Sequence, residues 1–189
     1  MGLNLQYGVA RIMNLANGEM LVAGGFTAFW FYTAGNISPL LTIFIVAPVA
    51  FGANWLIYRI MLEPLVRRAK TRDQLEVDSI LATFGMSFIA VGLMLAFFGG
   101  DYFNYSFLAV PVTIMGDTYA QNRVVAFASA VVICAILFAW ITYSRPGLSL
   151  RALAVSPESA RLVGINVRQR AAIAFALGGA ITAVGGALI

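Results

Sequence analysis

Residues 145–170 read RPGLSLRALAVSPESARLVGINVRQR and lie between two apolar runs, residues 124–143 and 171–189. The segment holds five of the twelve Lys and Arg residues of a chain in which only 11% of residues are charged. Apolar runs of about 20 residues cross a membrane as helices. A polar interval between two such runs therefore predicts an exposed connection between spans, within an all-α bundle of transmembrane helices.

Helix-end signals mark the centre of this segment. Ser156 can cap a helix, Pro157 suits its first position, and Glu158 lies where the helix dipole favours an acid. Gly164 can take the left-handed conformation that ends a helix, and Asn166 resembles a second cap. The pattern predicts a short helix at the membrane surface, where it could dock a soluble partner. An ordinary solvated loop with good caps is the alternative.

Composition sets the class of protein. Of 189 residues, 61% are hydrophobic and only 11% are charged, whereas a soluble domain carries about 25% charged residues. The net charge of +4 comes from basic residues clustered at the ends of apolar runs, which is a membrane-topology pattern and not a nucleic-acid signal. We expect a single transmembrane domain over residues 1–189, with residues 145–170 as a cytoplasmic region within it.

About five spans are expected. They fall at residues 15–34, 40–58, 76–98, 124–143 and 171–189. The last is rich in Gly and Ala, and its ladder of Gly178, Thr182 and Gly186 suits close helix packing.

The start of the first span is interrupted by residues 14–19, NLANGE. A span could begin near Leu15, or the chain could break there into two half-helices around a polar site. Because polar groups at membrane depth are costly and usually functional, Asn14, Asn17, Gly18 and Glu19 are candidates for the solute pathway. The alternative is that the two asparagines cap a helix and Glu19 lies favourably in its first turn.

Loop charges predict the topology. Residues 59–75 and 144–170 each carry five Lys or Arg, whereas residues 35–39 and 99–122 carry none. Cytoplasmic loops are enriched in these residues. The first pair of loops is therefore predicted to be cytoplasmic, and residues 99–122 are predicted to lie outside.

Catalysis is not expected. The chain has no histidine, its acidic residues form no metal-ligand spacing, and no phosphate-cradling glycine motif is present. We therefore predict that this chain is not an enzyme, does not hydrolyse ATP, and binds no metal or cofactor of its own.

Several ordered motifs carry a family resemblance. Residues 14–19 are similar to the Asn-Phe-Ala-His-Gly-Glu motif of LivH-type permeases, the membrane subunits of branched-chain amino-acid ABC importers. Residues 80–87, ILATFGMS, look like that family's Ile-Leu-Ala-Thr-(apolar)-Gly segment. Residues 145–154 and 159–166 resemble its cytoplasmic stretch, which residues 174–180 continue. The resemblance extends over essentially the whole chain.

The resemblance implies a role for residues 145–170 as a coupling region seated in a groove of an ATP-binding subunit. It assigns five residues to that interface: Glu158, Ser159, Ala160, Arg161 and Gly164. It also implies a second permease subunit, two ATPase subunits that use the ATP, and an extracytoplasmic solute-binding protein. The location implied is a lipid bilayer, the cytoplasmic (inner) membrane of a bacterial-type cell.

Family members are longer at both ends, so the sequence is expected to be a fragment with further spans before and after it. One departure concerns Asn17, which stands where the family motif has histidine. If this position contacts solute, a urea or short-amide permease becomes an alternative. A membrane scaffold subunit without a solute path is a further alternative, in which residues 14–19 only cap a helix.

Overall fold

The structure, a computed structural model, describes residues 1–69, 71–99, 111–114 and 117–188. Its helices are α1 (Gly2–Leu5), α2 (Asn17–Gly35), α3 (Pro39–Ile57), α4 (Glu63–Arg68), α5 (Arg72–Phe98), α6 (Gln121–Tyr143), α7 (Arg145–Val155), α8 (Pro157–Leu162) and α9 (Val167–Leu188). Single π-helical turns, Gln6–Ala10 and Tyr58–Leu62, continue α1 and α3. Two short strands, β1 (Pro111–Ile114) and β2 (Asp117–Ala120), pair antiparallel.

The predicted polytopic helix bundle is confirmed. Within the described residues, four helical segments are long and apolar enough to cross a membrane: Pro39–Arg68, Asp73–Phe98, Gln121–Tyr143 and Val167–Leu188. The remaining predicted span corresponds to α2, whose 19 residues extend about 28 Å at 1.5 Å per residue. It is not among the four, because Asn17, Glu19 and its glycines lower its apolar content.

Helix α9 forms the centre of the bundle and packs against α1, α2 and α3. Its buried face consists mostly of Gly and Ala, which lets the neighbouring backbones approach closely. A Cβ atom built at Gly186 would lie 1.8 Å from the Leu21 carbonyl oxygen, and one at Gly24 would lie 1.9 Å from that of Ala183. The predicted packing role of the small-residue ladder is therefore confirmed.

The predicted basic loop at residues 59–75 is largely wrong. The helix of α3 continues through the π-turn and α4 to Arg68, so the described connection to α5 is only a few residues long. Basic side chains lie along this helix and do not break it. Arg67 pairs with Glu63 at 2.8 Å across one turn, and the Arg59 guanidinium lies 5.0 Å from the centre of the Trp55 ring.

The described part of residues 99–122, the connection predicted to lie outside, contains a short hairpin. Pro111 pairs with Ala120 and Ile114 with Asp117. The remainder of that loop, residues 100–110, 115 and 116, lies outside the described residues. Helix α6 follows the hairpin directly and begins at Gln121, three residues before the predicted span.

Candidate solute pathway and coupling region

The helical structure is interrupted before α2 at residues 11–16, which we call the break. Arg11 adopts a left-handed conformation, with φ of 55°, and ends the π-turn after α1. The chain then remains non-helical until α2 begins at Asn17, and Glu19 lies in the first turn of that helix. Ile12 and Ala16 within the break are fully buried. The structure thus combines both interpretations of this region: a short helical element precedes the break, and a long helix starts beyond it.

Thr83 of α5 supports the buried backbone of the break. Its hydroxyl accepts a hydrogen bond from the Leu15 N–H at 3.2 Å and lies 3.2 Å from the Met13 carbonyl oxygen. Asn14 adds a local bond, because its Oδ1 accepts from the Ala16 N–H at 3.1 Å. Buried non-helical backbone needs such partners, since an unpartnered amide at this depth costs free energy. Thr83 therefore fixes the path of the chain into α2.

A second contact joins α2 to α5. The Ser87 hydroxyl donates a hydrogen bond to Glu19 Oε1. Ser79, Thr83 and Ser87 recur every four residues and so lie on one face of α5, where Ser79 and Thr83 are fully buried. This polar stripe was not predicted as part of the site. Its period of four within an otherwise apolar helix indicates a polar face on α5, but it does not show which segment that face contacts.

Three buried polar atoms near the start of α2 have no hydrogen-bond partner among the described residues. They are Asn14 Nδ2, Asn17 Oδ1 and Glu19 Oε2. Asn17 does not cap α2: the N-cap position is Ala16, and no side chain caps this helix. Gly18 leaves open space, with no atom within 4 Å of an added Cβ. Buried polar groups normally have partners, so this cluster has capacity to bind a polar ligand.

Removing the Thr83 hydroxyl tests its role in the break. Thr83→Val keeps the shape of the side chain but leaves the Leu15 N–H unpartnered, which we expect to lower the free energy of unfolding by about 1–3 kcal/mol. Thr83→Ser keeps the hydroxyl, so its free energy of unfolding is expected to stay much closer to that of the wild type. Thermal unfolding of the full-length protein in detergent measures both. Equal destabilisation by Val and Ser would instead assign the effect to the lost γ-methyl packing.

Residues 156–169 have the predicted helix ends. Ser156 Oγ accepts from the Ser159 N–H at 3.2 Å, Pro157 begins α8, and Glu158 lies in its first turn. Asn166 Oδ1 accepts from the Gln169 N–H at 3.2 Å and caps the start of α9. These predictions are confirmed, because each depends only on residues close together in sequence.

Gly164 ends α8 as predicted. Its φ of +78° lies in the left-handed region. The Gly164 N–H donates to the Arg161 carbonyl at 3.1 Å, and the Ile165 N–H reaches back to the Ala160 carbonyl at 3.0 Å. This pattern satisfies the last carbonyl groups of the helix and turns the chain towards α9.

Most of the predicted interface residues are accessible. Glu158, Ser159, Arg161 and Gly164 are exposed, whereas Ala160 is only 2% exposed and lies beneath them. Ala160 can therefore shape this surface only from below. Leu162 and Val163, which the sequence analysis did not assign, are 88% and 73% exposed. Two such apolar side chains beside exposed charges are typical of a surface that another protein covers.

Helix α7, the first part of residues 145–170, was not predicted, and it links α8 to the break. Its buried residues Leu150 and Leu153 belong to the same hydrophobic cluster as Val9 and Ile12. A guanidinium nitrogen of Arg11 also lies 3.4 Å from the carbonyl oxygen of Ala154 in α7. The segment that positions Asn14 therefore rests directly on the helix preceding α8.

No group of three or more His, Cys, Asp or Glu side chains in the described part of the chain is arranged to hold a metal ion.

A family model described as the permease component of branched-chain amino acid transport systems matches residues 1–189. The chain belongs to this permease family. The family is a transport family, and its members are membrane permeases. No solved structure matches this permease significantly.

Individual relatives agree with the family assignment. The permease is 24% identical to the high-affinity branched-chain amino acid transport system permease protein LivH of Salmonella typhimurium, and 25% identical to BraD of Pseudomonas aeruginosa. It is also 24% identical to a probable LivH of Methanocaldococcus jannaschii. Each match covers the whole of this chain but only 60–64% of the relative.

Proposed function

We propose that this chain is part of a membrane permease subunit of an ABC importer for branched-chain or other hydrophobic amino acids. The observation that carries the proposal is the coupling region: a short, firmly capped helix α8, with an exposed mixed surface, connected through α7 to the break before α2. The named transport systems of the relatives supply the solute class.

Energy would enter at α8. Glu158, Ser159 and Arg161 offer polar contacts to a groove of an ATP-binding subunit, and Leu162 and Val163 offer apolar ones. Because α7 and the residues before Asn14 share one hydrophobic cluster, displacement of α8 has a packed route to the polar site. Because protein interiors are close-packed, a displacement passes well between groups in contact and poorly across voids.

The proposed partners are those that the resemblance to LivH-type permeases implies. They are two ATPase subunits that bind and hydrolyse ATP, a second permease subunit, and an extracytoplasmic solute-binding protein. The bias of basic residues places α8 and the connection after Arg68 on the cytoplasmic side of the inner membrane. In this proposal the chain itself binds no cofactor, because ATP is used by its partners.

The proposed solute pathway runs past Asn14, Asn17, Gly18 and Glu19, where the orphaned polar atoms lie beside the open space at Gly18. A urea or short-amide permease is the competing function, because the Asn17 amide stands where the resembled motif has histidine. A scaffold subunit would need these residues only as caps, and α2 has no side-chain cap.

Solute uptake distinguishes these functions. The full-length permease, reconstituted in liposomes with its partner subunits and binding protein, is expected to import radiolabelled leucine when ATP is supplied to the ATPases. A hundredfold excess of unlabelled isoleucine should suppress this uptake by at least about tenfold, as competition for one site requires, and urea should not. Urea uptake without leucine uptake would replace the proposal with the amide permease. Absence of any uptake would favour the scaffold.

A further inference from the structure

An apolar cleft lies at the interface of α2 and α5. Its volume is about 230 Å³, and it is lined by Ala23, Phe26, Thr27, Trp30, Met94 and Phe98. The rings of Phe26 and Phe98 stack with their centres 4.7 Å apart and join the two helices there. The cleft therefore has apolar walls contributed by both helices.

Helical spacing places the polar cluster and the cleft on the same faces. On α2, Glu19 precedes Ala23 by four residues, which is one turn or about 6 Å. On α5, Ser87 precedes Met94 by seven residues, two turns or about 10 Å. Residues four and seven apart share one side of a helix. The Ser87–Glu19 hydrogen bond and the cleft therefore lie in succession along the facing sides of α2 and α5.

The unpartnered atoms at the polar end have a specific chemical character. Asn17 Oδ1 and Glu19 Oε2 are acceptors, whereas Asn14 Nδ2 is a donor on a side chain that is 1% exposed. The uncapped first turn of α2 adds backbone N–H groups and the positive end of a helix dipole. Two acceptors and a set of donors complement one ammonium group and one carboxylate.

We infer that the groove between α2 and α5 binds a zwitterionic amino acid with an aliphatic side chain. Its ammonium group donates to Glu19 and Asn17, its carboxylate accepts from Asn14 and the first-turn amides at Gly18, and its side chain lies in the cleft beside Met94. The inference rests on the proposed function and adds the orientation of the solute and the contribution of α5. Urea fits the polar end but would leave the apolar cleft unfilled.

Filling the cleft tests the placement of the side chain. In the reconstituted full-length complex, Met94→Phe should lower leucine uptake by about tenfold relative to alanine uptake, because a larger side chain in the cleft excludes the longer solute first. The matched control is Leu93→Phe, which makes the same enlargement at a neighbouring position that is 53% exposed and does not line the cleft. The control should leave the leucine-to-alanine ratio unchanged.

Altering the polar end tests the placement of the ammonium group. Glu19→Gln should raise the KM for leucine by about tenfold or more, because an amide replaces the acceptor of a charge-assisted hydrogen bond. Gly92→Ala, on α5 with open space around it, serves as the control and should leave the KM unchanged. Folding of each variant is checked by monodisperse elution with the partner subunits.

The outcomes separate the two proposals. If the wild-type complex imports leucine but Met94→Phe keeps the wild-type leucine-to-alanine ratio, the proposed groove is overturned and the importer proposal stands. A folded Glu19→Gln variant that keeps the wild-type KM for leucine has the same consequence. Wild-type complex that imports no amino acid overturns both. If Glu19→Gln fails to fold, the Met94 ratio alone decides.

Discussion

Gly186→Ala is expected to destabilise the bundle by about 3 kcal/mol or more, and to leave little folded protein in detergent. The added methyl group would meet the Leu21 carbonyl oxygen at 1.8 Å, a backbone atom that no side-chain rotamer can move aside. Overpacking commonly costs about 1–3 kcal/mol, and a clash with backbone belongs at or above the upper end. Helices α2 and α9 would have to separate.

The adjacent glycine provides the control. Gly185→Ala makes the same chemical change one residue earlier, where no atom lies within 4 Å of the added Cβ, and should be neutral or slightly stabilising. Thermal unfolding and size-exclusion profiles of the two full-length variants give the comparison. If Gly186→Ala unfolded at the same temperature as Gly185→Ala, the close packing of α2 on α9 would be wrong.

Gly164→Pro is expected to lower the rate of ATP-driven uptake by about tenfold or more, while the protein still inserts and folds. Proline fixes φ near −65°, whereas Gly164 has φ of +78°, and it removes the N–H that bonds to Arg161. It also disfavours the observed backbone of Val163. The end of α8 should therefore be reshaped, which alters the surface proposed to receive motion from the ATPase.

Gly164→Asn is the matched control, since asparagine tolerates the left-handed region and keeps the N–H. Leucine uptake by the reconstituted complex should remain near the wild-type rate in this variant. Equal loss in Asn and Pro variants would show that uptake depends on the absence of a side chain at Gly164 and not on the shape of the helix end.

Features set by neighbouring residues were predictable. Ser156, Gly164 and Asn166 specify their caps through bonds to residues three positions away, so sequence pattern suffices. The spans at α3, α5, α6 and α9 follow from uninterrupted apolar length. The ladder in α9 was also predictable, because small residues four apart have few uses in a membrane helix other than close packing.

Features set by distant contacts could not be predicted from the sequence. Thr83 and Ser87 join the site only because α5 lies beside the break before α2, some seventy residues away in sequence, and no local signal gives that neighbour. The prediction of a loop at residues 59–75 was wrong for a different reason. Its charges indicated exposure, yet a helix can expose Arg67 and Arg68 on one side while Leu62 remains fully buried on another. A run of charges therefore does not by itself predict a break in a helix.

The central claim, that energy enters at α8, is tested most directly by leucine-dependent ATP hydrolysis in the reconstituted full-length complex. With binding protein and saturating leucine present, the account predicts that wild type and Gly164→Asn show stimulated hydrolysis tied to uptake. Gly164→Pro should retain assembly and ATP binding by the ATPases but lose both the stimulation and the uptake. Stimulated hydrolysis and leucine uptake at wild-type rates in a correctly assembled Gly164→Pro complex would contradict it.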